Sequence, residues 1–196
     1  MKSPQMLKHV YLLLLLPVVI SCGLAGPLKK IAENAQNPTT LTSPDHRVQI
    51  VVPGGWTVEK TLNDIAVIQA SNRFSEMYVI VIGEGKEDFE EGTTLDYFAS
   101  LSRNGLAEKV TGEQSTEPVP MQVSGHSAME YQMEGSVDNI KIKYICTVIE
   151  TPTHFYQIFT WTLPSRFEQN RETLRGVMQS FKEVKAGPPP PKPTAT

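Results

Sequence analysis

Cysteine is almost missing from this chain of 196 residues: only Cys22 and Cys146 are present. That scarcity excludes a disulfide-stapled miniprotein and any Cys-rich zinc module. A long apolar run is missing too. The stretch from Val10 to Ile20 has eleven residues, which as a helix covers roughly half of a 30 Å hydrocarbon core. Extending it to Ala25 gives sixteen residues and takes in Gly23. Basic residues are scattered rather than clustered, and the net charge is -3, so nothing offers a face for nucleic acid phosphates. With 40% hydrophobic and 20% charged residues, the chain is neither collagen-like nor intrinsically disordered as a whole.

What is present begins with an address. Lys2 and Lys8 precede the apolar run, which contains five consecutive leucines and ends in Val19-Ile20-Ser21-Cys22-Gly23. A positive start and a short apolar core form the pattern of a secretory signal. The closing residues resemble the lipobox of bacterial lipoproteins. That resemblance implies diacylglycerol on the Cys22 thiol, cleavage just before it and acylation of the new amine; several acyl chains hold a protein where one is marginal. Gly23 after the cysteine agrees with sorting to the outer membrane, facing the periplasm. Removal of residues 1–21 takes away two lysines and no acid, leaving the mature chain at a net -5.

Four segments follow: a lipoprotein signal over 1–21, a lipidated tether over 22–44, one domain over 45–184, and a proline-rich disordered tail over 185–196. The tail has five prolines between Gly187 and Thr196 and reads as solvated polyproline. In the domain, Val48, Ile50 and Val52 alternate and then break at Pro53-Gly-Gly, predicting a strand and a turn. Ile65–Ala70 and Met77–Gly83 predict a hairpin. Thr94–Glu108 predicts a helix with Leu95, Phe98, Ala99, Leu101 and Leu106 as its stripe, interrupted by Ser102. After a proline-bounded link, Ala128–Glu134, Ile140–Glu150 and His154–Leu163 predict three strands. Pro164 ends the last of them, and Ser165-x-x-Glu168 predicts a capping box for a second helix. Phe167, Leu174, Val177, Met178 and Phe181 form the buried stripe of that helix. The order gives an α+β fold, a mainly antiparallel β-sheet flanked by helices.

Val52-Pro-Gly-Gly-Trp56, the helix opening Thr94-Leu-Asp-Tyr-Phe98, the lead Gly125-His-Ser-Ala128 and the closing Ser180-Phe181 are similar to the PsbP-like fold group. This resemblance covers roughly 45–184 and implies an α/β/α sandwich. The lipobox points to its bacterial branch, the DcrB-type envelope lipoproteins. Members are mostly accessory or binding proteins, so the resemblance carries over no catalytic residue and no cofactor.

The residues themselves offer little chemistry. His46, His126 and His154 lack the spacing of a metal pair, although they could meet in space. Cys146 lies on the apolar face of its strand and reads as an inert core thiol. Ser124-Gly-His-Ser127 lacks the context of a nucleophile elbow. The acids Glu84, Glu87, Asp88, Glu90 and Glu91 read as one solvated loop. Trp56, Trp161, Tyr78, Tyr97, Tyr131, Tyr144 and Tyr156 could line a ligand groove; the strand-borne ones read more simply as core or sheet-face residues, and one exposed aromatic patch would mark a binding surface. The leading expectation is a non-catalytic, membrane-anchored accessory or binding module with an envelope protein as partner. The alternative is an envelope hydrolase or metal-dependent enzyme using His46, His126 or His154.

Overall fold

Alternating apolar residues and turn chemistry translate into a strand-rich molecule, here a computed structural model that describes residues 37–184. The chain runs β1 (Thr39–Thr42), β2 (Val48–Val52), β3 (Thr57–Val58), β4 (Ile68–Asn72), β5 (Met77–Gly85), α1 (Leu95–Ala107), β6 (Thr111–Ser115) and β7 (Val119–Val123). It continues through β8 (His126–Val137), β9 (Ile140–Glu150), β10 (His154–Thr162), α2 (Phe167–Gln179) and β11 (Lys182–Glu183). The signal over 1–21, Cys22 and the tail over 185–196 lie outside the described residues. No helix among the described residues is long and apolar enough to cross a membrane.

The large sheet has eight strands in the order β3-β4-β5-β10-β9-β8-β6, with β7 also paired to β8, and every pairing is antiparallel. A second sheet, β1-β2-β11, packs with α2 against one face. On that side Val48, Ile50 and Val52 meet Leu174, Met178 and Phe181. On the other face α1 sets Leu95, Phe98 and Ala99 over Tyr131, Cys146 and Phe155. Alternation along β9 and β10 divides the two cores, since successive side chains point to opposite faces. The only polar residue buried on α2, Asn170, is satisfied by two bonds of 2.9 Å, donating to Thr162 Oγ1 and to the Ser75 carbonyl.

Register gives the sheet two ends. Gly85, His154 and the β7–β8 turn mark one; the β4–β5 and β8–β9 turns mark the other. The β8–β9 turn is only Asp138-Asn139, both with positive φ, which suits these two residue types. Ser124-Gly125 turns β7 into β8 in the same way.

Several expectations need correction. The tether assigned to 22–44 ends earlier, because Thr39–Thr42 pairs along β2 and starts the folded unit ahead of Asp45. The link after α1 contains β6 and β7. Both lie on the outer edge of β8 and bury little, so they lack the alternation that reveals an inner strand. No capping box forms: Pro164–Arg166 is a 3-10 turn, α2 starts at Phe167, and Arg166 caps without a side-chain bond. Thr94 does cap α1, its hydroxyl accepting from the Tyr97 amide at 3.2 Å.

Candidate functional site

The α1 side of the sheet is only partly covered. Phe98 stacks on Phe155 with ring centroids 4.4 Å apart, and Phe89 meets Phe98 edge-on at 5.1 Å. These rings fix α1 over one half of the face. Beside them lies a groove of about 630 Å³, within the range of small-ligand sites. Its floor is Ile80 and Ile82 of β5, Phe159 and Trp161 of β10, and Ile142 and Tyr144 of β9. Leu101, Ser102, Gly105 and Leu106 of α1 form one wall, and Leu62, Asn63 and Ile65 form the other.

The second wall has no regular structure, and one side chain holds it. The Gln69 amide oxygen accepts from the backbone N–H groups of Leu62 and Asn63 at 2.9 and 3.1 Å. Its nitrogen donates to the Asn63 carbonyl at 2.7 Å. Asn63 Oδ1 then accepts from the Ile65 amide at 3.0 Å. The wall thus presents Ile65, 69% exposed, opposite Leu101, 41% exposed. Two apolar rims facing each other across an aromatic floor can gain free energy when a guest displaces water from them.

Aromatic residues cross the floor as neighbours. Tyr78 stacks on Trp161 with centroids 5.3 Å apart, and Tyr144 tilts against the same indole at 5.7 Å. Burial pushes the Tyr144 phenol up to about 12, so it stays neutral and remains a hydrogen-bonding group at ordinary pH. One polar pair stands at one end of the floor. There Gln157 Nε2 donates to Glu84 Oε1 at 2.5 Å. Glu84 is part of β5 and lines the groove, so it does not belong to the solvated acidic loop where the sequence had placed it.

Ser102 also departs from its reading as an interruption of the helical stripe. It is buried, and its hydroxyl lies 3.0 Å from the Tyr131 hydroxyl. Burial pushes the Tyr131 phenol and the Cys146 thiol up from their ordinary pKa values, because it disfavours their charged forms. Cys146 is free and keeps its proton in the α1-side core.

The three histidines do not assemble a metal centre. Register puts His126 and His154 at the same end of the sheet, but β9 separates their strands, a spacing of about 10 Å. His154 is engaged by Arg47 Nη1 and Thr153 Oγ1, each at 2.8 Å, and stacks on Tyr156. His46 occupies a turn with φ +58°. Among the described residues no group of three or more His, Cys, Asp or Glu could hold a metal ion. The groove lining contains neither histidine nor cysteine. Among the aromatics singled out from sequence, Trp161 and Tyr144 line the groove and Tyr78 backs Trp161, whereas Tyr131 is core. The roles of Gln69, Gln157 and Phe89 were missed. Phe89 had left a signal, being the apolar residue inside the acidic run.

No protein-family model matches the sequence, and no curated protein matches it either. Solved structures do. Cyanobacterial PsbP (CyanoP) from Synechocystis superposes with a TM-score of 0.55 at 14% identity, over 85% of this chain and 99% of that one. The fold is PsbP-like. LpqN of Mycobacterium tuberculosis, described as involved in cell envelope biogenesis, superposes with a TM-score of 0.53 at 12% identity, over 79% of this chain and 95% of that one. A Bacteroides thetaiotaomicron protein gives 0.52 at 8% identity, over 76% of this chain and 49% of its own. At such identities the likeness is one of fold. It bears out the α+β class and the PsbP-like sandwich read from the sequence.

Proposed function

We propose that this PsbP-like chain is an envelope lipoprotein, anchored by lipid on Cys22, that serves as a non-catalytic accessory or binding module. The observation that carries the reading is the apolar groove of about 630 Å³ between α1 and the 62–65 wall. Its floor is built for contact rather than for proton transfer. The Glu84–Gln157 pair places hydrogen-bonding groups on the floor, where they can orient a guest. The envelope role of LpqN supports the setting. The sequence Val19-Ile20-Ser21-Cys22-Gly23 supports the anchor, at the outer membrane and facing the periplasm. The hydrolase or metal-enzyme alternative has no observation in its favour among the described residues.

Two measurements separate anchoring from binding. Fatty-acid labelling of the wild type but not of Cys22→Ser is expected; equal labelling of both, or none in either, refutes the anchor. For binding, a photoreactive residue is placed at Leu101 or Ile65 on the groove rims, and at Val119 on β7 as a control. In intact envelopes the two rim positions should form the same adduct and Val119 should not. Identical adducts from all three positions, or none from the rims, would refute the groove as the binding element.

A further inference from the structure

Two hairpin tips project from the end of the sheet away from His154, and both carry exposed apolar side chains. Tyr78, Trp161 and Tyr144 are level across β5, β10 and β9. Phe74, in the β4–β5 turn, lies four residues beyond Tyr78. Ile140, beside the β8–β9 turn, lies four residues beyond Tyr144. Phe74 is 92% exposed and Ile140 58%. With β10 between their strands, the tips stand about 10 Å apart and reach a similar height.

The N-terminal chain enters the domain at this same end. Thr39 pairs with Val52, and only Pro53 and Gly54 separate Val52 from Gly55. A Cβ built on Gly55 would lie 3.4 Å from the side chain of Asn72, at the base of the Phe74 turn. An anchor at the N-terminus is therefore attached to the domain on the side of these tips. The acids flanking the Phe74 turn are already neutralised: Glu76 by Arg166 at 2.8 Å, and Glu59 by Arg73 at 2.9 Å. Pairing lowers the obstacle that a bare carboxylate presents to a lipid interface.

We propose that Phe74 and Ile140 form a two-point foot that rests in the lipid interface of the membrane to which the chain is anchored. Aromatic and aliphatic residues on a polar domain partition to that depth. The two side chains that enter the interface are apolar, and the exposed charges beside them, Arg73, Asp138 and Lys141, are of mixed sign, so the contact does not depend on anionic lipid. Its consequence is orientation: the end carrying His154 and the N-terminus of α1 faces away from the bilayer. This inference rests on the Cys22 anchor.

The full-length lipidated protein is reconstituted into phosphatidylcholine vesicles, with an environment-sensitive NBD label on Phe74→Cys, Ile140→Cys or Tyr97→Cys. Tyr97 is exposed near the start of α1, at the opposite end, and Cys146 is buried. The unsubstituted protein supplies the labelling background. Labels at 74 and 140 should shift to the blue and be quenched by spin-labelled lipid, with the label at 97 unchanged. The shift should persist when anionic lipid is added or salt is raised. Vesicle flotation with a water-like signal at 74 overturns the foot and leaves the anchor standing. Failure to float overturns both. A blue shift at 74 without vesicles marks a second copy as the occupant and also overturns the foot.

Discussion

Replacing Gln69 by leucine would test whether one side chain organises the free wall of the groove. Leucine keeps most of the volume and the β4 backbone pairing but removes the amide. Three hydrogen bonds are lost, to the backbone at Leu62 and Asn63. Each such bond is worth about 0.5–1.5 kcal/mol net. The wall is only part-buried, so water can replace some of them, and the sum should fall near 2 kcal/mol. For a domain of this size that corresponds to a fall in Tm of about 4–8 °C. The loss should also be local. Hydrogen exchange at the amides of Leu62, Asn63 and Ile65 should accelerate, while the amides of β9 and β10 keep their protection. Adduct formation from Ile65 should weaken with it. An unchanged Tm together with unchanged exchange at Leu62 and Asn63 would refute the view that Gln69 sets this wall.

Further outcomes follow from the packing. Gly135→Ala should destabilise by about 1–3 kcal/mol, read by urea denaturation, because its Cβ would lie 2.3 Å from Val110 Cγ1 and 3.0 Å from the Thr111 carbonyl oxygen; a neutral result would mean that the β6 segment yields freely. Leu174→Ala, fully buried between α2 and the sheets, should cost about 2–5 kcal/mol, with a loss below 1 kcal/mol contradicting the assigned core. The Tyr144 phenol has a folded-state value near 12, above the ordinary 10, so the folded state holds that proton longer. Its contribution to stability is intact below pH 10 and is lost as pH rises from 10 towards 12. Tyr144→Phe should therefore flatten the alkaline decline in unfolding free energy, and a decline identical to wild type would refute that assignment.

The inner strands were legible because each buries a face. In β9, Ile142, Tyr144, Cys146 and Val148 alternate with residues of the opposite core, and the Asp138-Asn139 turn adds its own chemistry. The edges were not legible. Thr111–Ser115 is exposed at every position, and Val119–Val123 holds a proline, so neither pattern differs from that of a link. Ser102 shows why polarity alone misleads: a hydroxyl is at home in a core when a distant partner such as Tyr131 meets it. The failed capping box is the converse case. Ser165 and Glu168 have the right spacing, but Pro164 starts a 3-10 turn and moves the helix start past the serine. As for the site, Trp161 and Tyr144 of its floor were among the aromatics singled out from the sequence, whereas Phe159 and the isoleucines beside them were not. Its walls depend on Gln69 and on the placement of α1, which only tertiary contact defines.

The blunt margins of the sheets gain a further meaning under the proposed Cys22 anchor. Attachment to a membrane confines neighbouring copies to two dimensions, where they meet at a high effective concentration. Under such crowding a long flat strand with free N–H and C=O groups would recruit another copy into a growing ribbon. Here β3 and β11 are two residues long, β6 carries a register shift, and Pro120 in β7 has no N–H to offer. Among the described residues only β1, four residues long, leaves a short free edge, so copies crowded by such an anchor would find little backbone to zip together.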